Sequence, residues 1–408
     1  MRILLVTQYF WPESFRVNHL VQAWRDLGHD VTVLANMPSY PAGRTFEGYS
    51  WRGPYRETYF GADVRRVPTL PRGRRRNVRV ILTYLSFIAN GLVLAPFVAR
   101  GRFDAVFVYA PSPITVALPA LLMKRLRGTP MAIWVQDLWP DNLASLGIVR
   151  SPLLLRMATA LGRWIYRRCD LVLVQSAAFE APVRRVCPEV AKIRLLPNWA
   201  DDFYRPETVE PDAPERREFP EGFTVVFGGN LGSAQALEVV LDAAAMLRDA
   251  GVRWVFIGDG NQRTALESES RSRGLDDVVR FLGWRPETTM PRYLSLADAL
   301  LVSLRRNESF ASTVPAKLQT SLAVGRPILA ALEGEGARIV RDARAGVVVE
   351  PENARALADG VRALMTASAE ARAEMGRSGR AYATTHFDRA TLVAQLDRWL
   401  REMTEARA

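Results

Sequence analysis

Apolar and polar positions come in alternating blocks along this chain, with short β-branched runs taking turns with stretches of helical period. Arg2 to Val6 reads as a strand, Phe15 to Leu27 as a helix stopped by Gly28, and Asp30 to Leu34 as a second strand. A polar loop follows from Pro38 to Tyr55, then a basic loop and an apolar helix. FDAVFVY (Phe103 to Tyr109), MAIWV (Met131 to Val135) and DLVLVQ (Asp170 to Gln175) are further strands, with a helix over Leu153 to Arg168 before the last of them. KIRLLPNW, Lys192 to Trp199, closes this half. Near-continuous apolar strands separated by helices predict a doubly wound parallel sheet, covered on both faces.

From Ala200 to Gly222 the chain is acidic, proline-rich and without apolar period, and reads as a linker or long surface loop. The alternation then resumes. Strands are expected at Thr224 to Phe227, Trp254 to Ile257, Val278 to Phe281, Ala299 to Ser303, Pro327 to Ala330 and Val347 to Val349. Helices are expected at Ala234 to Leu247, Asn261 to Ser272 and Val314 to Ala323. A final amphipathic helix, Ala390 to Met403, carries Leu392, Leu396, Trp399 and Leu400 on one face. A chain of 408 residues exceeds what one core usually serves. The expectation is two α/β domains, 1–199 and 223–389, with a linker at 200–222 and a closing helix in 390–408. Two such domains leave a cleft, and open sheets bind ligands at the carboxyl ends of their strands.

Composition narrows the function classes. Hydrophobic residues at 49% and charged residues at 24% describe a globular protein. Two cysteines and three histidines supply no disulfide framework and no zinc spacing. MRILLVTQYF enters a strand without the pattern of a signal peptide, which makes the cytoplasm the expected location. The net charge of +11 is unevenly placed: nine arginines and no acidic residue lie between Val64 and Phe103. Arg72, Arg74, Arg75, Arg76 and Arg79 precede Ile81 to Ala99, nineteen residues without a charge. That length is marginal for a membrane span, and Asn90, Gly91 and Pro96 weigh against one. Segment 72–99 reads either as a packed helix whose basic border meets anionic headgroups at the inner face of a membrane, or as a buried helix beside a solvated basic loop. No aromatic platform interleaves the arginines, so nucleic acid is not an expected partner.

Several strand ends carry candidate chemistry. In FGGNLGS, Gly228, Gly229 and Gly232 would let backbone approach a phosphate, with Asn230 and Ser233 as side-chain donors. The alternative is a tight connection. In FIGDG, Asp259 either accepts from a polar ligand or caps the next helix. Trp284 and Arg285 would line a cleft floor where an indole stacks on a base, or belong to a packed loop. Lys317 follows Pro315 in the first turn of a helix, where a cation is disfavoured unless an anion shares the site. A snorkelling surface lysine is the competing reading. In the first half, WVQDLWPDN sets Gln136, Asp137 and Asp141 beyond a strand. Asp137 is the best candidate for a polar catalytic contact, or else it braces its own loop. QYFWPESFRVNH offers Glu13, Ser14, Arg16 and Asn18; Glu13 is a base, an acceptor contact or a helix-start carboxylate. The first strand is not followed by GxGxxG, which argues against a dinucleotide enzyme. No DxD pair is present, and no metal is expected.

Taken in order, QYFWPE, WVQDLWPD, LLPNW, FGGNLGSAQ, FIGDG and PAKLQTSLAVGRPIL resemble the retaining glycosyltransferases of family 4. Their GT-B fold sets two Rossmann-like doubly wound domains facing across a cleft. More narrowly the chain resembles the colanic-acid and O-antigen branch, including the L-fucosamine transferase type, over roughly residues 1 to 400. The resemblance implies sugar transfer from a nucleotide-diphospho-sugar to an acceptor hydroxyl with retained configuration, and no cofactor beyond that donor substrate. Gly228 to Ser233 would approach the diphosphate beside Lys317, Trp284 and Arg285 the base, and Asp137 the sugar. The closing helix would brace the first domain. Such an enzyme suits a polyprenyl-diphosphate-linked acceptor at Arg72–Arg79 and the apolar helix, and a peripheral place on the membrane's inner face. The chain departs from the family at Ser312 and Thr320, where glutamates are usual, although Thr320 could still offer a hydroxyl to a ribose. Glu308 sits four residues too early to replace the first glutamate. Asn230 and Gln235 stand for the usual arginine and lysine, and the first loop lacks paired glycines. Other readings are a GT-B nucleotide-sugar epimerase and a catalytically silent homologue that binds without turnover.

Overall fold

The computed structural model describes residues 1–40, 43–73, 77–140, 151–187 and 189–406. Arg74, Arg75, Arg76 and Asp141, singled out above, lie outside the described residues. The chain divides into two compact units, residues 1–197 with 390–408, and residues 198–389.

The first unit is built on β1 (Arg2–Thr7), β2 (Asp30–Asn36), β3 (Arg56–Tyr59), β4 (Ala62–Val67), β5 (Ala105–Ala110), β6 (Met131–Val135), β7 (Leu171–Val174) and β8 (Ile193–Leu195). They form one sheet in the order β3-β4-β2-β1-β5-β6-β7-β8. β3 and β4 pair antiparallel and every other neighbouring pair is parallel. All six residues of β5 are buried, as a strand covered on both faces requires. The β3–β4 hairpin was not expected from the apolar pattern. Its signal is the two-residue loop Phe60-Gly61, both at positive φ, the geometry that matches strand twist.

Helices α1 (Arg16–Asp26), α2 (Asn77–Val98), α3 (Ala117–Arg127), α4 (Pro152–Arg168) and α5 (Glu180–Val186) connect these strands. Among the described residues α2 is the one helix long and apolar enough to cross a membrane. Here it serves as the crossover from β4 to β5. Phe87, Ala95 and Ala99 join the core beneath the sheet, and Gly91 comes so close to Pro119 of α3 that a Cβ would meet its ring at 2.6 Å. Its outer side, with Val78, Leu82, Leu85, Val93 and Phe97, is exposed. The C-terminal helix, Arg389–Glu405, buries Leu392, Val393, Leu396 and Leu400. It returns to the first unit, where Asp397 meets His29 Nε2 at 2.7 Å and Glu402 meets Arg194 at 3.3 Å.

The second unit has β9 (Phe223–Gly228), β10 (Val252–Ile257), β11 (Val279–Gly283), β12 (Ala299–Ser303), β13 (Ile328–Ala331) and β14 (Gly346–Val349). The order is β11-β10-β9-β12-β13-β14, parallel throughout. After a short helical turn, Pro214–Arg217, its helices are α6 (Glu238–Met246), α7 (Arg263–Ser272), α8 (Met290–Ser295), α9 (Glu308–Ser312), α10 (Ala316–Val324), α11 (Gly334–Asp342), α12 (Ala354–Thr366) and α13 (Ala369–His386). The acidic segment 200–222 is fastened to this unit. Glu215 bonds Arg292 at 2.8 Å, Glu218 accepts from Tyr293 at 3.0 Å, and the Glu207 amide donates to Ser295. Both sheets reverse their order beside their first strand, between β1 and β5 and between β9 and β12. Such reversals open a crevice at the strands' carboxyl ends.

Candidate active site

At the second unit's reversal, β9 ends in Gly228 and the chain turns through Gly229 at φ +127°. The expected direct entry into a helix is corrected here. Ser233–Gln235 form one 3₁₀ turn, Ala236 takes a left-handed φ of 50°, and α6 begins only at Glu238. Nor are all the loop amides available to a ligand. Gly229 donates to Ile257, Leu231 to Asp259, and Gly232 to the Gln235 side chain at 3.1 Å. Among the described residues no acceptor faces the amides of Asn230 and Ser233, and both residues are exposed. The loop is pinned from beneath by Gly258, where a Cβ would meet the Gly229 carbonyl at 1.9 Å. Only glycine fits that contact and its φ of +141°.

Lys317, the second residue of α10, is aimed into this turn. Its Nζ stands 3.8 Å from the centroid of the Phe227 ring, and a Cβ on Gly229 would lie 3.8 Å from the same nitrogen. The side chain's stem is half-buried, but the ammonium itself is enclosed and has no hydrogen-bond partner among the described residues. Burial alone pulls its pKa down to about 7. Thr320, one turn on, donates its hydroxyl to the Lys317 carbonyl at 3.0 Å, and Ser312 donates to Glu308 in α9 at 3.4 Å. Glu308 is exposed.

The remaining donor-side candidates separate. Asp259 does not cap α7, whose N-cap is Gln262; its carboxylate accepts from Gly260 at 2.8 Å beside the glycine loop. Trp284 is 67% exposed at the end of β11, an indole face open to solvent. Arg285 is not free. It donates to Leu282 at 2.6 Å and to Tyr293 at 3.1 Å, and it pairs with Glu218. Through Glu218 it also holds the acidic segment. Arg305, which sequence reading passed over, closes the other side of the crevice. Its amide donates to Ala234 at 2.8 Å, and its guanidinium reaches Ser233, Glu238 and Glu352. The available signal was its position just beyond β12, at the strand-order reversal.

At the first unit's reversal, Glu13 is 1% exposed. One oxygen accepts from Ser39 and Tyr40 at 2.8 and 2.7 Å, the other from Phe10 at 3.2 Å. Burial raises its pKa to about 7 against the downward pull of those three amides. With both oxygens occupied by backbone amides, Glu13 ties the loop after β2 to the loop after β1. It does not start α1, which begins at Arg16. Asp137, just past β6, accepts from the Ser112 amide at 2.9 Å, joining the loops after β5 and β6. Gln136 is nearly buried and its carbonyl accepts from Gln175 at 2.9 Å. Tyr109, at the end of β5, has its phenol pKa raised by burial, with Arg16 opposing the rise and Asp137 adding to it. Asn18 bonds the Glu13 carbonyl at 2.7 Å. Tyr9, Phe15 and Tyr40 pack ring on ring, and Arg72 donates to the Tyr9 hydroxyl at 2.8 Å while lying over Tyr40. Among the described residues no cluster of three His, Cys, Asp or Glu side chains could hold a metal ion.

Residues 14–199 match the family model described as "Glycosyl transferase 4-like domain", and residues 222–367 match "Glycosyl transferases group 1". The chain is a glycosyltransferase of the GT-B fold, related to family 4 and colanic-acid members. WcaI of Escherichia coli (strain K12), named for colanic acid biosynthesis, is 27% identical over 89% of this chain and 91% of its own. Among solved structures, sucrose-phosphate synthase from Thermosynechococcus elongatus shares the fold with a TM-score of 0.74, 17% identity and complete coverage of both chains. Anabaena HepE, in complex with UDP-glucose, gives 0.70 at 16% identity, covering 98% of this chain and 100% of that one. Within this glycosyltransferase the two crevices have different fittings: a glycine turn with an enclosed cation in one, two carboxylates each held by backbone amides in the other.

Proposed function

We propose that this glycosyltransferase moves a sugar, with retention, from a nucleotide-diphospho-sugar to a hydroxyl of a polyprenyl-diphosphate-linked saccharide in surface polysaccharide biosynthesis. One observation carries the donor half: the enclosed Lys317 ammonium beside Gly229, without a hydrogen-bond partner among the described residues, at the carboxyl end of the second sheet. A diphosphate placed there restores the charge that burial disfavours, and the exposed amides of Asn230 and Ser233 add donors. As the anomeric C–O bond breaks, charge grows on the leaving diphosphate, and these groups stabilise it more in the transition state than in the ground state. The acceptor oxygen attacks from the same face and its proton passes to the departing phosphate oxygen, so no protein nucleophile is needed. Asp137 orients the sugar or acceptor, Trp284 stacks on the base, and the Thr320 oxygen accepts from the ribose.

The acceptor half rests on α2, whose exposed apolar side follows the arginine-rich segment 72–79. α2 lies flat at the inner face of the cytoplasmic membrane; spanning would strip the β4–β5 crossover from its sheet. A colanic-acid relative such as WcaI agrees with a cell-surface polysaccharide product. A second reading, a silent donor-binding homologue, is favoured by Ser312 and Thr320, whose hydroxyls are spent on their own helices. The deciding experiment pairs a panel of nucleotide-sugars with lipid-diphosphate saccharides and with the same saccharides lacking the lipid. A lipid-dependent glycoside of retained configuration is expected. Donor binding with no product from any pair would leave the silent reading standing, and equal turnover on lipid-free acceptor would remove the lipid from the proposal.

A further inference from the structure

The outward side of α4 has no part in the donor site or in α2, and it is apolar where a surface helix is ordinarily polar. The inner side, Gly162, Ile165 and Tyr166, packs into the first unit's core. At about 100° per residue, Leu153, Met157, Ala160 and Trp164 fall in one line along the opposite side. Leu153, Met157 and Trp164 are 67%, 60% and 41% exposed, and Leu154 beside them is 53% exposed. α4 therefore has two apolar sides and one core.

Charge says what covers the outer one. The helix carries Arg156, Arg163, Arg167 and Arg168 and no acidic residue. The first three border the apolar line on one flank; Arg168 lies on the other, its guanidinium 4.1 Å over the Trp164 ring. An indole at the edge of an apolar stripe, flanked by cations, matches the boundary between acyl chains and phosphate headgroups. A second copy of this chain on the same face would set arginine against arginine. Position agrees as well. α3 packs against both α2 and α4, and all three contribute to one core beneath the same side of the sheet. The exposed rows of α2 and α4 thus belong to one helical layer, with Leu126 of α3 exposed within it.

We propose that the outer face of α4 is a second membrane-docking surface, seated on an anionic bilayer alongside α2. This rests on the membrane reading of α2 and adds a contact that α2 does not supply. The test uses full-length protein. Met157→Cys carries an environment-sensitive fluorophore, because Cys169 and Cys187 are buried. With vesicles containing phosphatidylglycerol, the label's emission shifts to the blue and is quenched by brominated acyl chains; with phosphatidylcholine alone the shift is absent. A label that stays accessible to an aqueous quencher while the protein is vesicle-bound overturns the proposal. In flotation, Leu153→Asp/Met157→Asp weakens binding about tenfold, as does Leu85→Asp/Val93→Asp on α2, with thermal unfolding unchanged in both. Loss in the α2 pair alone sinks the α4 surface and keeps α2. Loss in the α4 pair alone keeps α4 and removes α2. If the unaltered protein binds no vesicle, both readings fall. A dimer in solution that the α4 pair disperses also overturns the proposal, and assigns the face to a second copy.

Discussion

The two sheets reverse their strand order in the same way, and an ionisable side chain is enclosed beside each reversal, Glu13 in one and Lys317 in the other, but the two groups are held oppositely. Glu13 in the first unit is satisfied by three backbone amides of two loops. Lys317 in the second has a phenyl ring and a glycine turn for company and no acceptor among the described residues. A buried polar group with partners is explained by the fold it holds together. A buried charge without them costs stability, and the cost points to a ligand absent from the folded chain alone. The comparison separates a brace from a binding residue, although both have pKa values displaced toward neutrality.

Replacing Lys317 is the strongest way to break it. Lys317→Met is expected to lower kcat/KM roughly 10²–10³-fold, the usual cost of one preorganised charge-stabilising donor. The same change should raise the thermal midpoint, since it replaces an uncompensated ammonium by an apolar chain of similar length. Opposite signs in activity and stability identify a ligand-binding cation. A variant that loses stability together with turnover would make Lys317 a structural residue, and the contrast with Glu13 would collapse.

Glu13 should behave in the reverse manner. Glu13→Ala leaves three enclosed amides without acceptors and is expected to cost about 3 kcal/mol of stability. Its folded pKa of about 7 lies above the ordinary 4.5, so the folded state holds more protons between those values. Its contribution is therefore full below about pH 4.5 and lost as pH rises through about 7. Glu13→Gln, which keeps one acceptor oxygen, should flatten that slope in denaturant unfolding. A Gln variant whose stability still follows the same pH curve would remove the assignment. A Gln variant of normal stability but no turnover would return Glu13 to catalysis.

Much of the fold was legible because each strand of a parallel sheet is buried on both faces and reads as an apolar run. The misses came where a local rule yields to tertiary geometry. The β3–β4 hairpin escaped because its strands are short, arginine-rich and at the sheet's edge; its signal lay in the Phe60-Gly61 turn instead. The helix after FGGNLG was placed early, because Ser233–Gln235 are tied to Arg305 and Ser303 across the crevice, partners no local pattern shows. Within the site, Lys317 was legible from its place after Pro315. The work of Glu13 and Arg285 was not, since their partners are Ser39 and Tyr40 in one case and Glu218 in the other, distant in sequence.

The smallest effect, and the finest test of the contrast, is protonic. Lys317 titrates near 7 in the folded chain and near its ordinary 10.5 when unfolded, so the unfolded state holds more protons between those values. Stability contributed here rises with pH across that window, whereas the Glu13 contribution falls between about 4.5 and about 7. A diphosphate beside the ammonium lifts its pKa again, because an anion favours the charged form. Above pH 7, donor binding must then take up a fraction of a proton, and affinity should weaken by at most about tenfold per pH unit. Calorimetry with the nucleoside diphosphate chosen by the donor screen, run at pH 8 in two buffers of different ionisation enthalpy, measures that uptake. Lys317→Met should abolish the part owed to the lysine and leave only the phosphate's own titration. Uptake unchanged in that variant would place the diphosphate elsewhere, and the enclosed ammonium would need another explanation.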